Sequence, residues 1–361
     1  MHLGIEATYM ANEWRGIGRY ARQLLRHFAR LRPDLRLTLY AETPEKRAAL
    51  AAELPVLGFG AERSGVADVS ALRSDPPELA WYPWNKTKYF SRARRMVVTI
   101  HDLGPFHHPY REWWRGLDQW KREYRVRKTA ARADLILTDS AYSRTDIITR
   151  LGVPAEKVRA VHLAADDFTP AVGGPDRAGL AARFGVGEAF FLFAGAADDR
   201  KNLPRLREAF LSLHGHGGGG AQLVICGQGP PEGEAEPGVL WLGRVSEADL
   251  QALYRAARAF VLPSLLEGFG LPVLEAMASG TPVICSNTTS LPEVAGEAAL
   301  YIDPLDVNAL ADQMLRCRTD AALCADLSAR GLIQSRRFRW EDTARQTLAA
   351  FDSVLATAVP G

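Results

Sequence analysis

The sequence predicts an α/β protein made of two domains, each a parallel sheet with helices on both faces. The chain has 361 residues, more than a single hydrophobic core usually supports. In both halves, short apolar runs alternate with longer amphipathic stretches, which is the pattern of repeated βα units. Residues 166–187 are rich in Gly, Pro and Asp, and we interpret them as the linker between the two halves.

The first half alternates strand and helix patterns from its first residues onward. Buried strands are predicted over residues 3–7, 35–40, 96–100, 135–138 and 158–161, and helices over residues 17–31, 44–53, 113–131 and 143–151. Gly16 and Gly18 belong to the turn that opens the first of these helices, although a single Gly-x-Gly is common in tight turns. Ser140 is placed to cap the last of them.

The second half begins the alternation again. Strands are predicted over residues 190–193, 222–226, 239–241, 259–262 and 282–285, and helices over residues 203–213, 247–257 and 340–356. Between the last two strands a glycine-rich turn leads into a further helix. Pro272 lies in the first turn of that helix and Gly280 just past its end, which is the arrangement helices favour. We therefore predict a first domain over residues 1–165 and a second over residues 176–341.

The net charge of +2 conceals an uneven distribution, because residues 1–165 carry +10 and the remainder −8. Two basic stretches, residues 86–95 and 111–132, account for much of the excess. The second also contains aromatic side chains, including Trp120 and Tyr124. Basic residues among aromatics suit an anionic membrane surface, and we expect peripheral contact there. The alternative is a solvated helix with its aromatics in the core, and nothing in the sequence resembles a nucleic-acid-binding module.

The four cysteines show no spacing typical of a zinc site or a disulfide framework. The N-terminus lacks the basic and apolar regions of a signal peptide, and no run approaches the roughly 18 apolar residues that span a bilayer. We therefore expect a cytoplasmic protein, with the cytoplasmic face of the inner membrane as an open alternative. No cluster has metal-ligand spacing, so we expect no metal and no cofactor.

Two carboxylates and two cations follow strands of the second half. Glu267 and Glu275, separated by seven residues, stand on either side of a predicted helix start. A helix N-terminus suits a phosphate, whereas carboxylates suit hydroxyl groups, and a nucleotide sugar carries both. Arg200 and Lys201 follow the strand at residues 190–193. They would face the same edge of the sheet as Glu267; a surface pair at a helix start is the alternative.

The segment Glu267-Gly268-Phe269-Gly270-Leu271-Pro272-Val273-Leu274-Glu275-Ala276 resembles the Glu-x7-Glu signature of the family 4 (group 1) retaining glycosyltransferases. The similarity covers most of the chain, which looks most like bacterial mannosyl- and rhamnosyltransferases of surface polysaccharide synthesis. The resemblance implies the GT-B architecture, in which two Rossmann-like domains face a central cleft. It also implies that the C-terminal helix, within residues 342–361, packs back on the first domain.

The resemblance assigns roles to individual residues. The implied catalytic residues are His101, Glu267 and Lys201. The implied donor-binding residues are Gly16, Gly18, Arg200, Lys201, Arg244, Gly268, Phe269, Gly270, Leu271 and Glu275. Glu267 would hold hydroxyls of the donor sugar and Glu275 the ribose, with the cations on the diphosphate. Many relatives carry an arginine where this chain has Ala196, which places more of the charge stabilisation on Lys201 and Arg200, with Arg244 as a helper.

The function implied by the resemblance is transfer of a hexose, with retention and without a metal, from a nucleotide sugar to a glycan or lipid-linked glycan. GDP-mannose is the donor we expect first, with UDP- and dTDP-sugars as alternatives. Two other functions stay open: a sugar-nucleotide epimerase or hydrolase of the same architecture, and a catalytically silent binding or scaffold subunit.

Overall fold

The computed structural model describes residues 1–12, 16–107, 113–171, 174–196, 198–215, 220–227, 229 and 236–357. The chain divides into two compact units. Unit 1 comprises Met1–Leu163 together with Trp340–Gly361, and unit 2 comprises Ala164–Arg339. Among the helices described, none has both the length and the apolarity required to cross a bilayer.

Unit 1 is built on a parallel sheet. Over the described residues its strands are β1 (His2–Glu6), β2 (Arg36–Ala41), β3 (Ser64–Asp68), β4 (Leu79–Tyr82), β5 (Arg95–Thr99), β6 (Leu135–Thr138) and β7 (Val158–Ala160), in the order β3-β2-β1-β4-β5-β6-β7. The helices are α1 (Ile17–Leu31), α2 (Pro44–Glu53), α3 (Ala71–Ser74), α4 (Gly104–His107), α5 (Trp113–Arg132) and α6 (Ala141–Leu151). The central strands β4, β5 and β6 are buried along their whole length, as expected when helices cover both faces of a sheet.

Unit 2 repeats this plan with a second parallel sheet. Its described strands are β8 (Ala189–Ala194), β9 (Ala221–Cys226), β10 (Val239–Gly243), β11 (Ala259–Leu262), β12 (Val283–Ser286) and β13 (Ala299–Ile302), in the order β10-β9-β8-β11-β12-β13. The helices are α7 (Arg177–Phe184), α8 (Leu203–Gly215), α9 (Glu247–Ala256), α10 (Leu271–Ala278), α11 (Leu291–Ala295), α12 (Val307–Thr319) and α13 (Ala321–Ser335). Consecutive strands do not always pair, so β8 lies between β9 and β11 at the centre of the sheet.

The last helix, α14 (Trp340–Ala356), belongs to unit 1. Phe351 on this helix packs against the rings of Phe28 and Trp81, with centroids 6.0 and 5.6 Å away. The buried Arg95 donates from Nε to the carbonyl oxygen of Val354 at 3.0 Å. A cation at this end satisfies carbonyls that the last helical turn leaves without partners.

The structure corrects the sequence analysis at several elements. The proposed linker at residues 166–187 lies in unit 2 and contains a helix, α7, which Asp176 caps by accepting from the backbone N–H of Gly179. Strands β3 and β4 were not predicted: β3 is a half-buried edge strand with few apolar residues, and β4 is only four residues long. The predicted cap at Ser140 is confirmed, because its side chain accepts from the Ser143 N–H at 3.0 Å.

Candidate active site

Lys201 and Glu267, which are distant in sequence, meet at the carboxyl end of the sheet of unit 2. Strand β8 pairs with β11, so the loops that follow them lie side by side, where parallel sheets usually bind ligands. The backbone N–H of Leu265 donates to the carbonyl of Arg200 at 2.7 Å and ties the two loops together. Lys201 Nζ then lies 2.7 Å from Glu267 Oε1. Both side chains are largely buried.

Glu267 is held by its neighbours through one carboxylate oxygen and its backbone. Ser264 Oγ donates to the same Oε1 at 2.6 Å. The Glu267 N–H donates to Thr289 Oγ1 at 3.3 Å, and Ser290 Oγ donates to the Glu267 carbonyl at 3.0 Å. Within the part of the chain that the structure describes, Oε2 receives no hydrogen bond, and it is the oxygen available to a ligand hydroxyl.

The turn between Glu267 and α10 has little room for side chains. Gly270 has a φ of 99°, a conformation that favours glycine, and a Cβ there would lie 2.6 Å from Leu291 Cδ2. Phe269 is buried with its ring 5.9 Å from that of Phe338. Its side chain therefore serves the core, and a ligand would meet only the backbone here. The N–H groups of Gly270 and Leu271 have no acceptor among the described residues.

Glu275 lies one turn into α10 and is buried. The hydroxyl of Tyr254, on α9, donates to Glu275 Oε2 at 3.1 Å. This contact orients the Glu275 carboxylate from a neighbouring helix. It forms only because the fold of unit 2 places α9 beside α10.

Arg200 is occupied by a local partner. It lies in a short 3-10 turn, Asp199–Lys201, and its guanidinium donates to both carboxylate oxygens of Asp198, the shortest contact being 2.7 Å. Partial burial alone would raise the pKa of Asp198, but the hydrogen bonds from Arg200 and the nearby charge of Lys201 lower it below its usual range. Asp198 and Arg200 therefore form an ion pair at neutral pH, just as Lys201 pairs with Glu267.

Asn202 stabilises the end of the loop that carries Arg200 and Lys201. Its backbone is left-handed, with a φ of 58°, which Asn tolerates better than most residues. Its buried Nδ2 donates to the carbonyls of Pro263 at 2.9 Å and Pro304 at 2.6 Å. The first of these carbonyls directly precedes Ser264, so Asn202 holds the Lys201 and Glu267 loops in register.

Arg244 follows the edge strand β10 and is exposed. Over the described ranges it forms no hydrogen bond or ion pair, and no contact joins it to Lys201 or Glu267. The structure therefore does not bring this predicted residue into the cluster. No group of three or more His, Cys, Asp or Glu side chains among the described residues is arranged to hold a metal ion.

His101 belongs to unit 1, where it follows β5 and is buried. Its Nδ1 lies 2.7 Å from Asp139 Oδ2, and its Nε2 lies 3.1 Å from the carbonyl oxygen of Pro83. A carbonyl oxygen can only accept, so Nε2 carries a proton. The ring also lies edge-on to Tyr20, with centroids 5.1 Å apart. Both ring nitrogens are thus engaged within unit 1.

Burial alone would lower the pKa of His101, but the charge and hydrogen bond of Asp139, together with the Pro83 carbonyl, raise it above its usual value. Burial also raises the pKa of Asp139, and the positive charge of His101 offsets this only in part. The pair therefore retains a proton to higher pH than an isolated histidine would. In this arrangement His101 organises the loops after β4, β5 and β6 rather than presenting a free nitrogen.

The predicted glycines of unit 1 lie at the start of α1. Gly16 is exposed with a φ of 58°, and its carbonyl accepts from the Tyr20 N–H at 3.0 Å, whereas Gly18 is buried in the first turn. These two residues and His101 belong to unit 1, and the other predicted site residues belong to unit 2.

Sequence reasoning missed three partners of the site: Asp139, Ser264 and Tyr254. Asp139 and Ser264 follow the ends of buried strands, where a polar residue is a signal for a site, but the sequence analysis gave neither of them a role. Tyr254 gave no signal, because its position in α9 fits an ordinary core residue.

Two family models match the chain. Residues 14–167 match the model described as Glycosyltransferase Family 4, and residues 188–320 match the model described as Glycosyl transferases group 1. The chain belongs to this glycosyltransferase family. The predicted family and the two predicted Rossmann-like parallel sheets are thereby confirmed.

Members of the family among curated proteins include the O-antigen chain mannosyltransferase B of Escherichia coli. It is 36% identical over 276 residues, which cover 72% of this chain and 71% of that protein. The serotype-specific mannosyltransferase WbdA of Escherichia coli is 30% identical over 280 residues. That match covers 73% of this chain and 34% of WbdA, so the chain corresponds to about a third of that longer protein.

A solved structure shares the fold over nearly the whole chain. HepE of Anabaena, in complex with UDP and glucose, superposes with a TM-score of 0.74 at 17% identity, covering 98% of this chain and 99% of HepE. At this identity the likeness shows the GT-B fold and leaves the ligands to be argued from the site itself.

Proposed function

We propose that the chain is a mannosyltransferase that moves mannose from GDP-mannose to a glycan acceptor, with retention at the anomeric carbon. The observation that carries the proposal is the 2.7 Å contact between Lys201 and Glu267 in neighbouring loops at the carboxyl end of the sheet of unit 2. A cation for the diphosphate and a carboxylate for the sugar hydroxyls lie together, as a nucleotide sugar requires. The choice of mannose rests on the mannosyltransferase relatives.

Lys201 and Glu267 neutralise each other in their ion pair, which limits the cost of burying two charges. A bound diphosphate would accept from Lys201, and a sugar hydroxyl would donate to Glu267. Ser264 keeps Glu267 Oε1 in place during this exchange, since its hydroxyl lies 2.6 Å away. Ligand binding would thus replace one ion pair with two contacts to the ligand, and neither loop would have to move.

As the bond to the diphosphate breaks, negative charge grows on the leaving oxygen. Lys201 and the N–H groups at Gly270 and Leu271 would stabilise that charge. Removal of one such preorganised donor typically lowers kcat by about 10²–10³-fold. Glu275, fixed by Tyr254, would hold the ribose. We propose that the leaving phosphate deprotonates the incoming hydroxyl on the same face of the sugar, which gives retention, and that no metal is needed.

We propose further that the acceptor is a glycan or a lipid-linked glycan of a surface polysaccharide, and that transfer takes place at the cytoplasmic face of the membrane. The relatives that act in O-antigen synthesis support this, as does the excess of positive charge in residues 1–165.

Hydrolysis of the donor by water tests the proposal without knowledge of the acceptor. GDP release is measured with GDP-mannose, and with UDP-glucose for comparison, in the presence and absence of EDTA. Proton NMR identifies the anomer of mannose released first. We expect turnover of GDP-mannose that survives EDTA and releases the α-anomer.

Lys201→Met and Glu267→Gln should each lose about 10²–10³-fold in kcat, whereas Arg336→Gln, at an exposed arginine of unit 2, should match the wild type. Turnover of UDP-glucose alone would contradict the mannosyl assignment and keep the transferase. No turnover of any sugar nucleotide would favour a silent binding subunit, and release of an epimerised nucleotide sugar would favour an epimerase.

A further inference from the structure

A cationic cavity of about 450 Å³ lies in unit 1. Five of its lining residues share one face of α5, at the helical spacing that places side chains in a row. The others come from α3 and from the segment after β4. The lining residues are Arg73, Thr87, Lys88, Phe90, Lys121, Tyr124, Arg125, Lys128 and Arg132. Six of these are basic and none is acidic.

Four of these cations have no carboxylate partner among the described residues. In the described residues Lys88 is paired with Glu42 and Lys121 with Asp118. By contrast, no ion pair involves Arg73, Arg125, Lys128 or Arg132.

Arg73 donates to the carbonyl of Phe90 at 3.3 Å. Arg132 and Lys128 lie over the Phe90 ring, 4.3 and 5.7 Å from its centroid. A ring face can hold cations in place without neutralising them. The lining therefore carries positive charge that no carboxylate among the described residues pairs with.

Nearby cations also change the pKa of a neighbouring lysine. Partial burial and the positive charges of Arg122 and Arg125 lower the pKa of Lys86 below its usual range. Repulsion of this kind is relieved when an anion binds, because each cation then gains a counter-charge.

Tyr124 lines the cavity, and the ring of Trp120 stacks on it. Trp120 and Tyr124 are stacked, with centroids 5.7 Å apart and ring planes 18° from parallel. They are 63% and 52% exposed, so the interpretation of these aromatics as core residues is wrong for this pair. Large exposed aromatics beside cations are typical of surfaces that sit at a membrane interface. The side chains of residues 113–117, which the sequence analysis included in this basic stretch, lie outside the described part of the structure, as do residues 111–112.

We propose that this cavity binds the phosphate group of an anionic lipid, with Arg125, Lys128 and Arg132 on the phosphate and Trp120 and Tyr124 among the lipid headgroups. Its lining residues all belong to unit 1, and the proposal rests on the cavity rather than on the proposed reaction. Phosphate from a soluble ester would fit the same cations, but it would not account for two exposed aromatic rings.

Vesicle co-sedimentation of the full chain tests the proposal. The vesicles contain phosphatidylcholine alone or phosphatidylcholine with phosphatidylglycerol, at low salt. The test variant is Arg125→Gln with Lys128→Gln. The matched control is Arg26→Gln with Arg159→Gln, which removes two exposed cations elsewhere on unit 1. Each surface cation contributes roughly a fivefold factor to binding of anionic lipid, so we expect the test variant to bind about 30-fold more weakly.

The control should stay within about twofold of the wild type, because its cations lie outside the cavity. Trp120→Ala with Tyr124→Ala should weaken vesicle binding while leaving the folded signal in circular dichroism intact. Equal losses in the test and control variants would mean diffuse attraction and would overturn the proposal.

Two further results would also overturn it. One is saturable binding of pyrophosphate without vesicle binding, which would assign a soluble phosphate. The other is tighter binding of single-stranded RNA than of anionic vesicles. GDP release from GDP-mannose should not change in the cavity variant, so failure of this site and failure of the proposed reaction can be told apart.

Discussion

Replacing Asp139 should destabilise unit 1 by an amount that depends on what replaces it. Asp139 Oδ2 lies 2.7 Å from His101 Nδ1, and the other ring nitrogen faces the Pro83 carbonyl at 3.1 Å. Asp139→Ala removes the carboxylate and leaves a buried imidazole nitrogen without a partner. Breaking a buried pair in this way costs about 3–5 kcal/mol.

Asp139→Asn should cost less. The asparagine amide can donate to an unprotonated Nδ1, and the neutral ring still donates from Nε2 to Pro83. A charge-assisted hydrogen bond is then replaced by a neutral one, with a loss of about 1–2 kcal/mol. In a domain of about 150–250 residues each kcal/mol shifts Tm by about 2–4 °C. The alanine variant should therefore melt about 6–20 °C lower and the asparagine variant about 2–8 °C lower.

The pH dependence separates a charged pair from ordinary packing. The pKa of His101 is raised in the folded state, so the pair contributes its full stability below about pH 6.5. That contribution is lost as pH rises through the folded-state pKa. In Asp139→Asn the buried ring binds its second proton less readily than in the unfolded chain. The advantage of the wild type over this variant should therefore be largest in acid and shrink as the pH rises.

The measurement is urea denaturation between pH 5 and pH 9, followed by tryptophan fluorescence, to which the buried Trp81, Trp84 and Trp340 of unit 1 contribute. Taking differences between wild type and variant cancels groups that titrate alike in both. A gap between the wild type and Asp139→Asn that stays constant over this range, or that widens with pH, would refute the charged pair.

Three substitutions probe the site of unit 2. Gly270→Ala would place a methyl group 2.6 Å from a leucine side chain, at a residue whose φ is 99°. We therefore expect a lower Tm and weaker GDP binding in calorimetry. Normal GDP binding would show that the turn adapts to the methyl group. Asn202→Ala should lower the free energy of unfolding, measured by urea denaturation, by about 3 kcal/mol, because two buried carbonyls lose a donor in a left-handed turn. Asn202→Gly should lower it less, and the reverse order would contradict the strain argument. Tyr254→Phe removes the donor to Glu275, so stability should fall by about 1 kcal/mol and KM for the donor should rise, and an unchanged KM would exclude this positioning role.

The α10 segment shows how far local sequence reaches. Its turn glycines, the proline in its first turn and the spacing of Glu267 and Glu275 are local features, and the structure has the predicted helix there. The same reasoning did not predict α7, an eight-residue helix that lies in a segment rich in Gly and Pro. It also did not predict β3, a half-buried edge strand without an apolar run. Local patterns detect an element when one face or both faces are fully buried, and they miss it otherwise.

The sequence alone determined the class of each unit and which residues carry charge at strand ends, because periodicity and turn chemistry depend on near neighbours. The family was indicated by the resemblance of residues 267–276 to a known signature. The tertiary structure decided the partners. Lys201 meets Glu267 only because β8 and β11 are adjacent in the sheet, and Asp139 reaches His101 only because β5 pairs with β6. Strand order is set by packing between segments far apart in the chain, so side-chain pairs that depend on it cannot be read from local sequence.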